Sequence, residues 1–272
     1  MTDTAAPMPM QGVRVLDCAT FIAGPCCATF LGEFGAEVIK IELPQTGCPL
    51  RKFGTMTETG DSLPWLSESR NKQSLTLDLR TPEGAQILKD LVAKSDVLVE
   101  NFQPGTMEGW GLGWEVLKAI NPKLVMVRIS AYGQTGPYAG RPGFGRIANA
   151  FGGISYLAGY PDRPPVTPGS ATLPDYLSGM FGAMGALMAL RTVEQSGLGQ
   201  VVDIGLYESI FRLLDELAPN GEHHAIALDH FASPTDFAFD DREDCLDLII
   251  NASPLGMAGQ PPLAFDFSHA PP

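Results

Sequence analysis

Histidine is missing from the first 222 of the 272 residues, and this absence limits the chemistry that the region can perform. Without an imidazole, a serine or cysteine nucleophile there cannot be activated in the Ser-His or Cys-His manner. Basic residues are also scarce, because 18 Lys and Arg stand against 31 Asp and Glu, which gives a net charge of −13. This charge argues against a surface that binds nucleic acid or anionic membranes.

Cysteines are few, and no segment is long and apolar enough to suggest a membrane span. The cysteines have no metal-ligand spacing, so we predict reduced, small hydrophobic side chains and no metal site. They are Cys18, Cys26, Cys27, Cys48 and Cys245. The first 11 residues lack the basic start and apolar stretch of a secretory signal. These features predict a soluble cytoplasmic protein.

Strand-like and helix-like segments alternate along the first half of the chain. Apolar, β-branched runs lie at 12–18, 37–42, 74–79, 96–102 and 123–131. Helical patterns lie between several of them, and this order is typical of an α/β protein with a Rossmann-like open parallel sheet and flanking helices. Because the first turn has no GxGxxG sequence, we do not expect a nicotinamide dinucleotide site. The glycine-rich segment 131–145 is expected to form a surface or binding loop.

Asp175 precedes an apolar helical pattern, in the run ATLPDYLSGMFGAMGALMALRTVEQSGLGQ. A carboxylate at a helix start interacts with free backbone N–H groups and with the positive end of the helix dipole, so we expect it to be ionised and oriented. An ionised, fixed carboxylate is a candidate nucleophile, and the alternative is a simple helix cap.

The helix after Asp175 carries glycines spaced three apart, Gly179, Gly182 and Gly185, with methionines between them. Glycine costs a helix about 1 kcal/mol per residue relative to alanine, so close approach of another backbone is expected to compensate. We predict that the methionines fill the core; they are Met180, Met184 and Met188.

Three segments together resemble the family III CoA-transferases, which include formyl-CoA transferase, carnitine CoA-transferase and, as a mechanistic relative, alpha-methylacyl-CoA racemase. They are GVRVLDCATFIAGPCCATFLGEFGAEVIKIELP, the stretch from SRNKQSLTLDLRTPEG to VRISAYGQTGP, and LPDYLSGMFGAMGALMALRTVEQSGLGQVVDIGLYES. The resemblance implies an acyl-accepting Asp175, a dimeric enzyme, acyl-CoA and a carboxylic acid as substrates, and no tightly bound cofactor.

The resemblance also implies a set of residues that bind CoA and a set that line the substrate pocket. The CoA set is Phe21, Ile22, Ala23, Lys40, Arg51, Arg70, Lys72, Leu77, Arg80, Asn101, Phe102 and Met107. The substrate set is Gln134, Phe144 and Arg146, and Arg141 and Arg146 are candidates to pair with a carboxylate of a dicarboxylic acceptor. Some relatives have an arginine where this chain has Gly109, so that phosphate contact is not expected here.

Phe144 stands where the racemase branch of the family has a histidine that removes the α-proton. Because no base stands there, the resemblance favours transfer of CoA over racemisation.

The resemblance ends near Pro219, before the second domain of the family would begin. We therefore expect a truncated N-terminal CoA-transferase domain at 1–219 and an unassigned junction at 220–244. Residues 245–272, CLDLIINASPLGMAGQPPLAFDFSHAPP, resemble a fragment of shikimate dehydrogenase and are not expected to form an independent domain. The alternatives to CoA transfer are an inactive truncated or fused chain that binds CoA or a partner without turnover, and, less favoured, a racemase or a shikimate dehydrogenase.

Overall fold

The structure is a computed structural model that describes residues 7–158, 160, 162–167 and 172–214. Its strands are β1 (Arg14–Asp17), β2 (Glu37–Glu42), β3 (Lys72–Thr76), β4 (Val97–Glu100), β5 (Val125–Ser130) and β6 (Val201–Gly205). Its α-helices are α1 (Ala23–Glu33), α2 (Leu63–Glu68), α3 (Pro82–Val92), α4 (Thr106–Gly109), α5 (Trp114–Ile120), α6 (Gly145–Phe151), α7 (Ile154–Leu157), α8 (Leu173–Ser196) and α9 (Leu206–Phe211), and a 3₁₀ helix covers Pro49–Lys52. None of these helices is long and apolar enough to cross a membrane.

The six strands form one sheet in the order β3-β2-β1-β4-β5-β6, and all five strand pairings are parallel. The predicted α/β fold with an open parallel sheet is therefore confirmed. The order reverses between β1 and β4, since β2 and β3 extend to one side and β5 and β6 to the other. In open sheets of this kind, ligands bind beyond the carboxyl ends of the strands at this point.

Alternate residues of the central strands enter two separate cores, as expected when a sheet is covered on both faces. Val97 and Val99 pack with α1 and α8 on one face, whereas Leu98 packs with α3 and α5 on the other. The ends of the flanking helices follow from local sequence. Thr81 caps α3 by accepting a hydrogen bond from the Gly84 N–H, and Pro82 is the first residue of the helix, a combination typical of a helix start.

Two element boundaries differ from the sequence prediction. The strand expected at 74–79 is β3, which begins and ends earlier, at Lys72–Thr76. The sequence from Gly199 to Glu208 also has a strand-like pattern, but it is strand only as far as Gly205, because Leu206 begins α9. In the second case Glu208 accepts a hydrogen bond from the Gly205 N–H and thereby favours a helix start.

The glycines of α8 allow the close packing that the sequence predicts. A Cβ added at Gly179 would lie 2.9 Å from the carbonyl oxygen of Ala23 in α1, and one added at Gly185 would lie 2.6 Å from Val202 in β6. The prediction that the methionines fill the core is wrong. They are 46–58 % exposed, because α8 turns its small residues toward the sheet and α1 and its methionines away from them: Met180, Met184 and Met188.

Candidate active site

The first turns of α1 and α8 lie side by side at the carboxyl ends of the strands. The close contact between Gly179 and the Ala23 carbonyl fixes this arrangement. Asp175 lies one turn before Gly179 on the same face of α8, and its neighbour Tyr176 packs beside Ile22, so Asp175 lies next to the loop that joins β1 to α1. The loop, residues 18–22, contains predicted CoA contacts, and the N-terminus of α8 contains the predicted nucleophile.

Asp175 is partly buried in the first turn of α8. Burial raises the pKa of its carboxyl from 3.8 to about 6, and a hydrogen bond from its own backbone N–H opposes this only in part. The effect of lost water on this pKa is therefore larger than that of the helix start, which favours the ionised form. With a pKa of about 6 the carboxyl is still mostly ionised at neutral pH, as a nucleophile must be.

Aromatic side chains stand at the mouth of the site. Phe21 has a left-handed backbone conformation with φ +56°, which is unusual for a residue with a Cβ. Its ring meets those of Phe53 and Phe144 edge to face, with centroids 6.2 and 6.4 Å apart. All three rings are exposed, and Phe144 is 68 % exposed. The predicted CoA residue Phe21 and the predicted pocket residue Phe144 are therefore in contact.

The other predicted CoA residues of the β1–α1 loop are covered. Ile22 and Ala23 are buried, Ile22 beside Tyr176 and Ala23 in the core below α8. Asn101, which follows β4, holds the loop through its amide. Its Oδ1 accepts a hydrogen bond from the Thr20 N–H at 2.7 Å, and its Nδ2 donates to the Thr20 carbonyl at 2.7 Å.

Lys40 and Lys72 share one buried carboxylate, Asp17, at the end of β1. The distances from the two ammonium groups to Asp17 are 3.1 and 2.9 Å, and both lysine side chains are 2 % exposed. Burial acts to raise the pKa of Asp17, but the two ammonium groups outweigh it and the pKa is lowered. Burial lowers the pKa of Lys72 although Asp17 opposes the shift. Sequence analysis did not single out Asp17, and its position at the end of a buried strand was the available signal.

The three predicted arginines lie nearer the surface, each paired with a carboxylate. Arg51 donates to Glu42 at 2.8 Å and stacks on Trp65, with its guanidinium carbon 3.9 Å from the ring centroid. Arg70 pairs with Glu33, and Arg80 pairs with Asp78 at 2.8 Å. Of the three, Arg80 is the most exposed, at 58 % of its side chain.

The remaining predicted CoA residues pack mainly against the core on the α3 and α5 face. Met107 is fully buried there, whereas Leu77 and Phe102 are partly buried at its edge, with the Phe102 ring 5.0 Å from that of Trp110. Met107 therefore presents no side chain to the crevice, because it fills space beneath α4.

The predicted substrate residues lie around α6. Arg146 is exposed in the first turn of α6, two residues after Phe144. The backbone N–H of Gln134 donates to Asp203 at 2.9 Å, and its side-chain nitrogen is buried without a hydrogen-bond partner among the described residues. Arg141 stacks on Tyr138. Sequence analysis missed Asn149, a buried amide of α6 whose polar atoms also lack such partners, because a lone asparagine in a helix gives no signal.

The part of the chain that the structure describes has no cluster of side chains suited to a metal ion. Cys18, Cys26, Cys27 and Cys48 are buried, as expected of small hydrophobic side chains.

The family model described as CoA-transferase family III matches residues 10–229. The chain belongs to this family. Similar family III proteins include the succinyl-CoA–L-malate CoA-transferase beta subunit of Chloroflexus aurantiacus, which is 58 % identical over 86 % of this chain and 60 % of its own length. The succinyl-CoA:glutarate CoA-transferase of Mus musculus is 39 % identical over 80 % of this chain and 50 % of its own length.

Solved structures of similar family members share the fold. A CAIB/BAIF family protein from Brucella suis superposes with a TM-score of 0.75 at 36 % identity, over 81 % of this chain and 59 % of that one. A D175A mutant of Rv3272 from Mycobacterium tuberculosis, numbered as in that protein, gives a TM-score of 0.73 at 33 % identity, over 80 % and 58 %. The chain thus spans roughly half to three-fifths of the lengths of these relatives.

Proposed function

We propose that the chain transfers CoA from an acyl-CoA donor to a carboxylic acid, with Asp175 as the covalent acyl acceptor. The observation that carries the proposal is the partly buried carboxylate in the first turn of α8, beside the β1–α1 loop. Its pKa of about 6 leaves it ionised at neutral pH. No histidine in residues 1–222 could take this role, and a carboxylate that acts as nucleophile needs no imidazole.

The reaction runs through two kinds of acyl intermediate. The Asp175 carboxylate attacks the thioester carbonyl, so the C–S bond breaks and a mixed anhydride and CoA thiolate form. The thiolate then attacks the aspartyl carbonyl, which gives an aspartyl-CoA thioester and releases the donor acid. The acceptor carboxylate repeats these steps in reverse, regenerating Asp175 and yielding the new acyl-CoA. Each step exchanges one carboxylate or thiolate for another and consumes no external proton.

We assign a dicarboxylic acid to the acceptor position and propose succinyl-CoA as the donor. The printed names of the relatives support this, since they pair succinyl-CoA with L-malate, D-citramalate or glutarate. The exposed guanidinium of Arg146, next to Phe144 at the mouth of the site, is suited to the second carboxylate. Gln134 lines the same pocket in this proposal.

The CoA nucleotide requires cationic groups near the surface and an apolar wall. Arg51, Arg70 and Arg80 are candidates for the phosphates, with Phe21 as the wall. Ile22, Ala23, Leu77, Phe102 and Met107 support this wall from within rather than by exposed contact.

The localisation, the oligomeric state and the domain bounds are also proposals. We propose a cytoplasmic protein, a homodimer, and a CoA-transferase domain at 1–219, close to the end of the family match at 229. The shikimate dehydrogenase-like stretch 245–272 and the junction 220–244 lie outside the described residues, and their assignment stays a prediction.

The second candidate function is binding of CoA or of a partner without turnover. It is kept as the alternative because the match covers only 60 % and 50 % of the lengths of two relatives that bear transferase names. Under that alternative the site would bind ligand while Asp175 formed no covalent bond.

Trapping the acyl-enzyme separates the two candidates. The full chain is incubated with succinyl-CoA and hydroxylamine, and the peptide that contains Asp175 is examined by mass spectrometry. Turnover predicts a hydroxamate at Asp175, which Asp175→Asn abolishes. The matched control Glu83→Gln, an exposed carboxylate in the first turn of α3, leaves the modification intact. CoA binding without any hydroxamate would contradict the proposed activity and support the second candidate.

A further inference from the structure

We propose that Lys40, Lys72 and Asn101 are positioning residues that hold the β1–α1 loop in shape, and that the two lysines do not contact CoA phosphates. The role of the loop as part of a CoA site rests on the proposed function. The way the three side chains hold the loop does not, because it follows from their contacts alone.

The loop is held at its start, its middle and its end. The Lys40 ammonium donates to the carbonyl of Ala19 at the start, and Lys72 donates to the carbonyl of Pro25 at 2.7 Å, in the first turn of α1. Between them, the Asn101 amide bonds both the N–H and the carbonyl of Thr20. These side chains come from β2, β3 and the end of β4, so three neighbouring parts of the sheet fix one short loop.

Asp17 explains how two lysines can be buried together. Its carboxylate accepts from both ammonium groups, one on each oxygen. One carboxylate balances only one of the two charges, and a buried charge needs further compensation. The carbonyl oxygens of the loop provide it, because their dipoles point at the excess positive charge. The loop therefore stabilises the lysines while the lysines fix the loop.

The same contacts leave little for a ligand. An ammonium group has three N–H donors, and each lysine already gives one to Asp17 and another to a backbone carbonyl, that of Ala19 in the loop or of Pro25 in the first turn of α1. With side chains 2 % exposed, neither lysine reaches the surface where a phosphate would lie. Arg80 does reach the surface, since 58 % of its side chain is exposed, and its partner there is Asp78.

The backbone conformation of Phe21 explains why the β1–α1 loop must be fixed. Its left-handed backbone is unfavourable for a residue with a side chain, and such conformations persist only where the surroundings determine them. The hydrogen bonds from the sheet fall on Ala19 and Thr20 before Phe21 and on Pro25 after it. Release of these contacts would let Phe21 leave its position beside Phe53 and Phe144.

Amide hydrogen exchange of the full chain tests the holding role without any ligand. Lys72→Met is expected to fold, because Asp17 keeps Lys40 as its partner. Exchange over residues 19–25 should become faster by about tenfold or more, while β4 and β5 keep their rates. Asn101→Ala, which changes no buried charge, should have the same local effect. The control Lys94→Met, an exposed lysine, should not change the loop. Unchanged loop exchange in both test variants would overturn the proposal.

Binding then separates positioning from phosphate contact. The probes are CoA and a pantetheine thioester that lacks the nucleotide and its phosphates. A positioning role predicts that Lys72→Met weakens both probes by the same factor, whereas Arg80→Met weakens CoA alone. Loss of CoA affinity alone in Lys72→Met, with normal loop exchange, would assign the lysine to the phosphates and refute the inference. If the unmodified chain binds neither probe, the proposed function fails, and the exchange rates still decide the role of the loop contacts.

Discussion

Replacing Asp175 by asparagine is expected to stabilise the protein, although it removes the proposed nucleophile. A pKa raised from 3.8 to about 6 means that ionisation of Asp175 costs the folded state about 3 kcal/mol relative to the unfolded chain. Asparagine has nearly the same shape and no charge, so Asp175→Asn avoids this cost. The gain is an upper value, since the amide makes hydrogen bonds that differ from those of the carboxylate.

The difference in stability between Asp175→Asn and the natural protein depends on pH. Below pH 3.8 the carboxyl is protonated in both states, and the two proteins should be equally stable. As the pH rises from 3.8 to about 6, the unfolded chain loses its proton first, so folding of the natural protein is progressively penalised. Above pH 6 the full difference of about 3 kcal/mol applies, and near pH 5 about half of it.

Urea unfolding of both proteins at several values from pH 5 to pH 8 measures this difference directly. Glu83→Gln is the matched control, because Glu83 is an exposed carboxylate in the first turn of α3. A helix start favours such a charge, so this variant should lose about 0.3–1 kcal/mol at pH 8. If Asp175→Asn loses stability at pH 8 as the control does, Asp175 is a helix cap and our reasoning about its burial is wrong.

Three further substitutions have clear expected results, each measured by thermal or urea unfolding. Gly179→Ala should cost about 1–3 kcal/mol of stability, because the new methyl group would lie 2.9 Å from the backbone of α1. The control Gly109→Ala, whose methyl group would have no atom within 4 Å, should be neutral or slightly stabilising. Equal effects of the two variants would contradict the packing argument. Thr81→Ala should cost about 1 kcal/mol through loss of the α3 cap, and no change would show that the hydroxyl contributes little. Arg128→Met should cost about 3–5 kcal/mol by leaving Glu100 buried without its partner at 2.6 Å, and a cost below 1 kcal/mol would mean that Glu100 takes up a proton easily.

The sheet was predictable from the sequence because short β-branched, apolar runs alternate with helical patterns, although β3 itself is mostly polar. β4 is buried along its whole length and reads as VLVE, a pattern that few other structures favour. The boundary between β6 and α9 was not predictable, since VVDIGLYES alternates as a strand does. The hydrogen bond from the Gly205 N–H to Glu208 decides in favour of the helix, and it depends on a turn that the pattern does not encode.

The site was predictable only in outline. Asp175 could be located from the apolar helical pattern that follows it, and the resemblance identified the loops around it. The direction in which each basic side chain points could not be predicted. Lys40 lies within β2, next to Asp17 of β1, and is buried on it, whereas Arg80 lies in the turn after β3 and is exposed beside Asp78.

The methionines of α8 failed as predicted core residues for a related reason. The helix is apolar around its whole circumference, so composition could not show which side faces the sheet. The close approach of α1 requires glycine or alanine on the packed side, and Gly179 and Gly182 meet that requirement. The larger Met184 is therefore excluded from the contact and lies on the opposite side of the helix.

The cost of ionising Asp175 has a consequence for the proposed chemistry. The carboxylate is charged and poorly solvated before the reaction, and the anhydride and thioester that it forms carry no charge on the aspartyl group. Acylation therefore removes the free-energy cost of about 3 kcal/mol that ionised Asp175 has in the folded state. This gain stabilises the acylated forms of Asp175 without any contribution from the binding of acyl-CoA. The same burial that makes Asp175 unfavourable as a helix cap thus favours its covalent forms, provided that the β1–α1 loop keeps water away from the carboxylate.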